Sequence, residues 1–361
     1  MRRCEVRDMS KARKTFINNL ITYGMVIIAF LLCQLALSKS VSWFTMSRTL
    51  KGQLVPICAW IIMAVSLNLT VGISGELSLG HAGFMSIGAF SDIIMSTWLL
   101  SAFQLENTLV RLILSLLVGG AFAGIAGVLI GIPVLRLRGD YLAIVTLAFG
   151  EIIRNVLNCL YFSVDGKALH VGFNTPNLPG KGIFNGPAGA VGVKTISTFE
   201  MGFALVLITL IIVLNLVNSR SGRAIIAARD NRIAAEAMGI NVTKYKMIAF
   251  VTSAVLAGMA GALYGLSISS LNASKFKFDT SILVLVFVVL GGIGSIRGSI
   301  IAATLLTILP EVLREFGDYR MLVYAIVLIL VMIATNSPML MNLMSRVRPR
   351  KQETVKEGSD A

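Results

Sequence analysis

The segment Gly72–Phe84 reads Gly-Ile-Ser-Gly-Glu-Leu-Ser-Leu-Gly-His-Ala-Gly-Phe and gathers hydroxyl, carboxyl and imidazole groups between glycines. Glycine frees a backbone to leave helical geometry, and Ser and His side chains can satisfy the amides and carbonyls so released. The chemistry on offer is recognition and gating rather than bond making. Gly72, Ser74, Gly75, Ser78, Gly80 and His81 are therefore candidates for a translocation path or gate. The plainer reading is a turn whose glycines allow close helix contact, and His81 taken alone reads as a hydrogen-bonded structural histidine.

A second glycine cluster, Gly291–Gly298, adds Gly291, Gly292 and Gly294 as candidates. A dinucleotide fingerprint needs G-x-G-x-x-G between a strand and a helix. The spacing here is G-x-G-x-x-x-G with long apolar flanks, which predicts a turn or helix break packed through small residues. Glu151 and Arg154 sit three apart in an otherwise apolar run, so they share a helix face and can pair. At bilayer depth an ionisable group costs about 3 kcal/mol on insertion scales. The pair therefore faces the protein interior, or lies near the interface with both side chains snorkelling. Glu151 is the one mid-helix carboxylate this reading singles out.

The segment Asn218–Lys246 carries six basic residues (Arg220, Arg223, Arg229, Arg232, Lys244, Lys246) against Asp230 and Glu236. Its alanine-rich stretch Ala224–Met238 predicts one short helix, with Gly239 as its stop. Charges and exposed small residues suit a docking element, and a solvated connector is the alternative. Arg223, Arg229, Asp230, Arg232, Glu236 and Gly239 are its candidate contacts. No G-x-x-x-x-G-K-[ST], G-x-S-x-G or H-E-x-x-H motif occurs, and the two histidines are His81 and His170. The expectation is a chain with no catalytic or metal set, no bound cofactor and no ATP site of its own.

The elements that position these residues follow from composition. Of 361 residues, 56% are hydrophobic and 14% charged, against about 45–50% and about 25% in soluble domains. The apolar residues lie in runs, among them Ile21–Leu37, Leu54–Leu69, Leu109–Val134, Met201–Val217, Met247–Ile268 and Met321–Thr335, and a bilayer crossing takes about 20 residues. This predicts an all-α polytopic transmembrane bundle of about 8–10 spans with two glycine-broken segments and a possible internal repeat. A net charge of +14 would suit nucleic acid, but the basic residues lie in hydrophilic gaps and at the ends, as the positive-inside rule expects of a lipid-embedded chain.

That charge bias gives a basic cytoplasmic tail at 1–15, a transmembrane domain at 16–340, and a cytoplasmic tail at 341–361 with Arg346, Arg348, Arg350 and Lys351. The span ending at Arg136, Arg138, Gly139 and Asp140 points inward, and Tyr141–Phe162 leads out to a Gly/Pro/Asn-rich external loop, 163–198. The first apolar run is read as a retained helix rather than a signal peptide. Cys4, Cys33, Cys58 and Cys159 show no metal or disulfide spacing.

Four stretches resemble the permease subunits of bacterial branched-chain amino-acid ABC importers, the LivM type: Leu67–Phe84, Arg136–Arg154, Ser221–Ile240 and Val289–Ala302. They are spread over most of the chain. The resemblance implies a bacterial inner-membrane protein that pairs with a second, related permease. It also implies two cytoplasmic ATPases that use ATP, and a periplasmic or lipid-anchored binding protein that delivers amino acids, with urea or short amides as other cargoes. A coupling helix would map onto Ser221–Gly239, although Glu236, Ala237 and Gly239 only echo the E-A-A-x-x-x-G loop of other importers. An ion-coupled secondary transporter is the alternative class. An ion channel ranks below it, because Thr70–Gly75 lacks the tyrosine of a T-V-G-Y-G filter.

Overall fold

The computed structural model describes residues 2–37, 48–137, 140–166, 168–175 and 178–336. Arg138, Gly139 and the C-terminal basic residues from Arg346 to Lys351 lie outside that set. Contacts divide the chain into two units, Met1–Ile308 and Leu309–Ala361.

In the first unit, α1 (Arg2–Leu37) carries helix through the basic tail into the first apolar run. Next come α2 (Arg48–Asn68), α3 (His81–Phe103), α4 (Thr108–Val134) and α5 (Asp140–Cys159). After a small sheet follow α6 (Phe199–Asn218), α7 (Arg220–Asp230), α8 (Arg232–Ala237), α9 (Val242–Gly265), α10 (Phe278–Gly291) and α11 (Ile296–Val312), whose last four residues fall in the second unit. The second unit holds a 3-10 stretch, Leu313–Tyr319, and α12 (Arg320–Asn336). Among the described residues six helices are long and apolar enough to cross a membrane, and Asn19–Leu35 and Phe278–Gly291 are shorter apolar helices. The chain is a multi-pass membrane protein.

Helices α3, α4 and α9 pack most extensively on one another, and α2 is the most enclosed span. Lipid tails are as apolar as leucine, so helices join in a bilayer through close packing rather than through escape from water. Small residues make that approach possible. A Cβ on Gly88 would lie 2.0 Å from the Gly258 carbonyl oxygen, and one on Gly261 1.9 Å from that of Met85. On α4, Gly120, Gly124, Gly127 and Gly131 seat Met259, Val255, Ala254 and Met247 of α9 in turn. Elsewhere on α4, Leu117, Ile125 and Leu129 are exposed apolar side chains.

The expected loop 163–198 is not structureless: it carries short strands of a sheet between its turns. Strands β1 (Leu160–Asp165), β2 (Ala168–Phe173), β3 (Lys181–Asn185), β4 (Ala190–Val191) and β5 (Ser270–Leu271) lie in the order β2-β1-β3-β4-β5, all antiparallel. The helix expected to reach Phe162 stops at Cys159, and Leu160 starts a strand. Burial does not alternate cleanly along these strands: the neighbours Ile183 and Phe184 are both buried, and the Phe184 ring lies tilted against Phe90 of α3 with centroids 4.7 Å apart.

Candidate functional site

The first glycine break begins where α2 widens into a π-turn, Leu69–Ile73, closed by Ser74 N donating to Leu69 O at 3.0 Å. Gly75, at φ +76°, reverses the chain in a conformation other residues avoid. The chain then runs back without helix until His81 opens α3. Gly80 lies against α5 so closely that a Cβ would sit 2.1 Å from Thr146 O, while Leu79 N donates to Thr146 Oγ1 at 3.0 Å. Ala82 N donates to Ser281 Oγ of α10 at 3.2 Å.

His81 is buried between α2 and α9. Its Nε2 lies 3.0 Å from Ser66 Oγ and 3.3 Å from Ser253 Oγ. Those hydroxyls already donate to Met63 O and Ser66 O, so the ring proton sits on Nε2 and the serine oxygens accept it. His81 thus pins the re-entrant segment to two helices. Thr70 Oγ1, Ser74 Oγ, Ser78 Oγ and His81 Nδ1 are buried along the break without hydrogen-bond partners.

The second break is the turn from α10 to α11. Gly292 and Gly294 take φ +89° and +84°, and Gly291 and Gly298 cross so tightly that a Cβ on Gly298 would lie 1.6 Å from Gly291 O. The two breaks meet. Asn68, the last residue of α2, accepts from Gly294 N at 2.9 Å and donates to Ser299 Oγ at 3.0 Å. A Cβ on Gly72 would lie 2.4 Å from Gly294 N.

The basic segment reaches the same point. Arg229 donates from Nη1 to Gly72 O at 2.8 Å, and its Cγ would lie 2.5 Å from a Cβ on Gly75. Its other guanidinium nitrogens bond Asp230 Oδ1. The single helix expected over Ala224–Met238 is two, α7 and α8, parted at Asn231, whose extended backbone and Oδ1 cap α8. Asparagine competes for backbone donors at helix interiors and favours caps, which explains the break. Arg232 pairs with Glu236 at 2.9 Å, Arg223 donates to Asn218 O at 3.4 Å, and Gly239 ends α8 at φ +78°.

The small residues divide: Gly222 and Ala228 of α7 and Ala235 of α8 are buried, while Ala234, Ala237 and Gly239 are exposed as expected, and Ile225 packs on Leu69 and Ile73. Two large apolar side chains are exposed with them, Ile233 at 80% and Met238 at 82%. Just past this segment Lys246 of α9 pairs with Glu76, both nearly buried.

Glu151 and Arg154 pair as expected, at 2.7 Å, but stand apart from the junction. Glu151 Oε1 also accepts from Phe278 N, the first residue of α10, at 3.3 Å, where a carboxylate favours the positive end of the helix dipole. Nor is Glu151 the one mid-helix carboxylate. Asp92 in α3 is 0% exposed, and Arg111 of α4 is 2% exposed with Nε unpartnered. Asn68, Glu76, Lys246 and Thr146 were missed as site residues. A polar residue inside an apolar run was the available signal for Asn68. Among the described residues no three His, Cys, Asp or Glu side chains gather as metal ligands.

Comparison with known proteins places this architecture. The family model described as branched-chain amino acid transport system, permease component, matches residues 50–333. The chain is 34% identical to the high-affinity branched-chain amino acid transport system permease protein LivM of Salmonella typhimurium, over 81% of this chain and 71% of that protein. It is also 34% identical to LivM of Escherichia coli, over 84% and 72%, and 29% identical to the ribose import permease protein RbsC of Escherichia coli, over 76% and 81%. No solved structure matches. With the matched region spanning both glycine breaks and the basic helices that meet them, the chain belongs to the family of branched-chain amino acid transport system permease components.

Proposed function

We propose that this chain is the translocation subunit of an ATP-driven importer for branched-chain amino acids. It works beside a second, related permease, with two ATPases docked on α7–α8 and a periplasmic or lipid-anchored binding protein at the end bearing the sheet. The observation that carries this reading is the Arg229–Gly72 hydrogen bond. It ties the basic segment to the point where both breaks meet, so a push on α7–α8 reaches Gly72, Gly294 and Asn68 directly. Exposed Ile233 and Met238 supply the apolar anchors and the surrounding arginines the polar rim that a protein interface needs. The unpartnered hydroxyls of Thr70, Ser74 and Ser78 suit a segment that meets water or solute as the gate opens. ATP is consumed by the partners, and this chain binds no cofactor. The excess of positive charge on 218–246 supports placing that end and both termini in the cytoplasm of a bacterial inner membrane.

The test is purification after mild solubilisation. ATPase subunits should travel with the chain and be lost on Ile233→Asp, a change at an exposed site that leaves the fold intact. ATP-dependent uptake by the assembled complex should favour leucine, isoleucine and valine over ribose, the cargo in the name of one relative. Uptake by the lone chain without ATP overturns the reading in favour of a secondary transporter.

A further inference from the structure

Helix α5 is the least enclosed of the six spans, with 17% of its apolar window buried, yet it carries the most polar face. Glu151, Arg154, Asn155 and Asn158 fall at i, i+3, i+4 and i+7, one stripe along a helix of 3.6 residues per turn. Glu151 lies near the middle of the span Tyr141–Cys159. The side chains of Glu151 and Arg154 are 32% and 21% exposed, and Asn155 is exposed. A face bearing a carboxylate, a guanidinium and two amides does not belong against lipid tails, where ionisable groups mark solute and ion pathways. Ile152 and Val156, about a quarter-turn or more away, form an exposed apolar face that does.

Beside the stripe, a narrow crevice runs between the first break, α5 and the start of α10. Leu79, Leu147, Phe276 and Phe278 give it apolar walls, and Glu151, Lys277 and Ser281 supply polar groups. An ion pair next to apolar walls mirrors an amino-acid zwitterion with an aliphatic side chain, since a carboxylate complements an ammonium and a guanidinium complements a carboxylate.

We propose that this face of α5 lines the solute path and that the Glu151–Arg154 pair opens to hold the amino acid in transit, Glu151 taking the α-ammonium and Arg154 the α-carboxylate. This rests on the substrate reading above. The long hydrogen bond from Phe278 N to Glu151 is the contact that yields when α10 moves aside. The far end of α10 is the Gly291–Gly294 turn held by Asn68, so opening of the crevice and motion at the junction share one rigid helix.

The test uses the complete importer in proteoliposomes, with labelled leucine as probe and Cys4, Cys33, Cys58 and Cys159 replaced by serine. Asn155→Cys and Asn158→Cys should react with a membrane-impermeant thiol reagent and be protected during leucine turnover, while Ile152→Cys and Val156→Cys stay unreactive. Glu151→Gln and Arg154→Gln should each lower leucine uptake at least tenfold with the subunits still assembled and still hydrolysing ATP. Unreactive stripe cysteines overturn the lining, and wild-type uptake by both charge variants overturns the recognition. If the wild-type complex imports no leucine, the substrate reading falls, and with it the recognition step, while the labelling pattern still decides the lining.

Discussion

The two glycine breaks carry similar residues into opposite surroundings. In the first, Gly72, Ser74, Ser78, Gly80 and His81 are all buried, and the backbone is held by α5, α9 and α10. In the second, residues 292–295 are exposed, and the turn is held at its waist by Gly291 against Gly298 and by Asn68 from the first break. One is a re-entrant segment sunk in protein, the other a hinge-like turn at the surface of its unit. Both breaks use glycine for close approach (Gly72 and Gly80 in the first, Gly291 and Gly298 in the second) and for positive φ (Gly75, then Gly292 and Gly294), and only the first leaves buried hydroxyls without partners.

The contrast predicts a gradient of mutational effects. The largest should come from Gly80→Leu, since even a Cβ would strike Thr146 O at 2.1 Å; uptake should vanish, and normal uptake with both Gly75→Leu and Gly80→Leu would refute a pathway role. Next, Glu76→Gln or Lys246→Gln strands the partner charge in a nearly buried site, at a cost of about 3 kcal/mol. Thermal denaturation in detergent should show the loss, and the double substitution should recover much of it. Asn68→Ala removes both hydrogen bonds that join the breaks and should cost about 2 kcal/mol by leaving Gly294 N unsatisfied. Uptake should fall more than stability if the junction transmits motion. The smallest effect belongs to Gly292→Ala, whose Cβ would meet Ser295 Cβ at an ordinary 3.7 Å but at φ +89°: about 1–3 kcal/mol of backbone strain, read as a drop in melting temperature with uptake retained. A penalty at Gly292 as large as that at Gly80 would erase the distinction between the breaks.

The legible part of the site was its chemistry by type. Glycines between apolar runs announced broken helices, the three-residue spacing announced the Glu151–Arg154 pair, and the charged alanine-rich stretch announced a docking segment. Boundaries were less legible. Asn231 reads as an ordinary helix residue until its side chain caps α8, and the strands from Leu160 to Val191 are short and half-exposed, so no alternation stands out.

The sequence alone determined that the chain spans a membrane, because apolar runs of bilayer length between basic gaps have no other stable home. It also determined where helices must break, because glycine conformational freedom is local. What only the tertiary structure decided is which breaks touch. Gly72 and Gly294 are far apart in the chain, and their contact depends on the direction in which α2 and α10 pack and on one asparagine placed to bridge them. The arrival of Arg229 at the same carbonyl, and the exposure of a polar stripe on α5, follow from helix packing, which depends on side-chain shape across distant segments and leaves no local mark in the sequence.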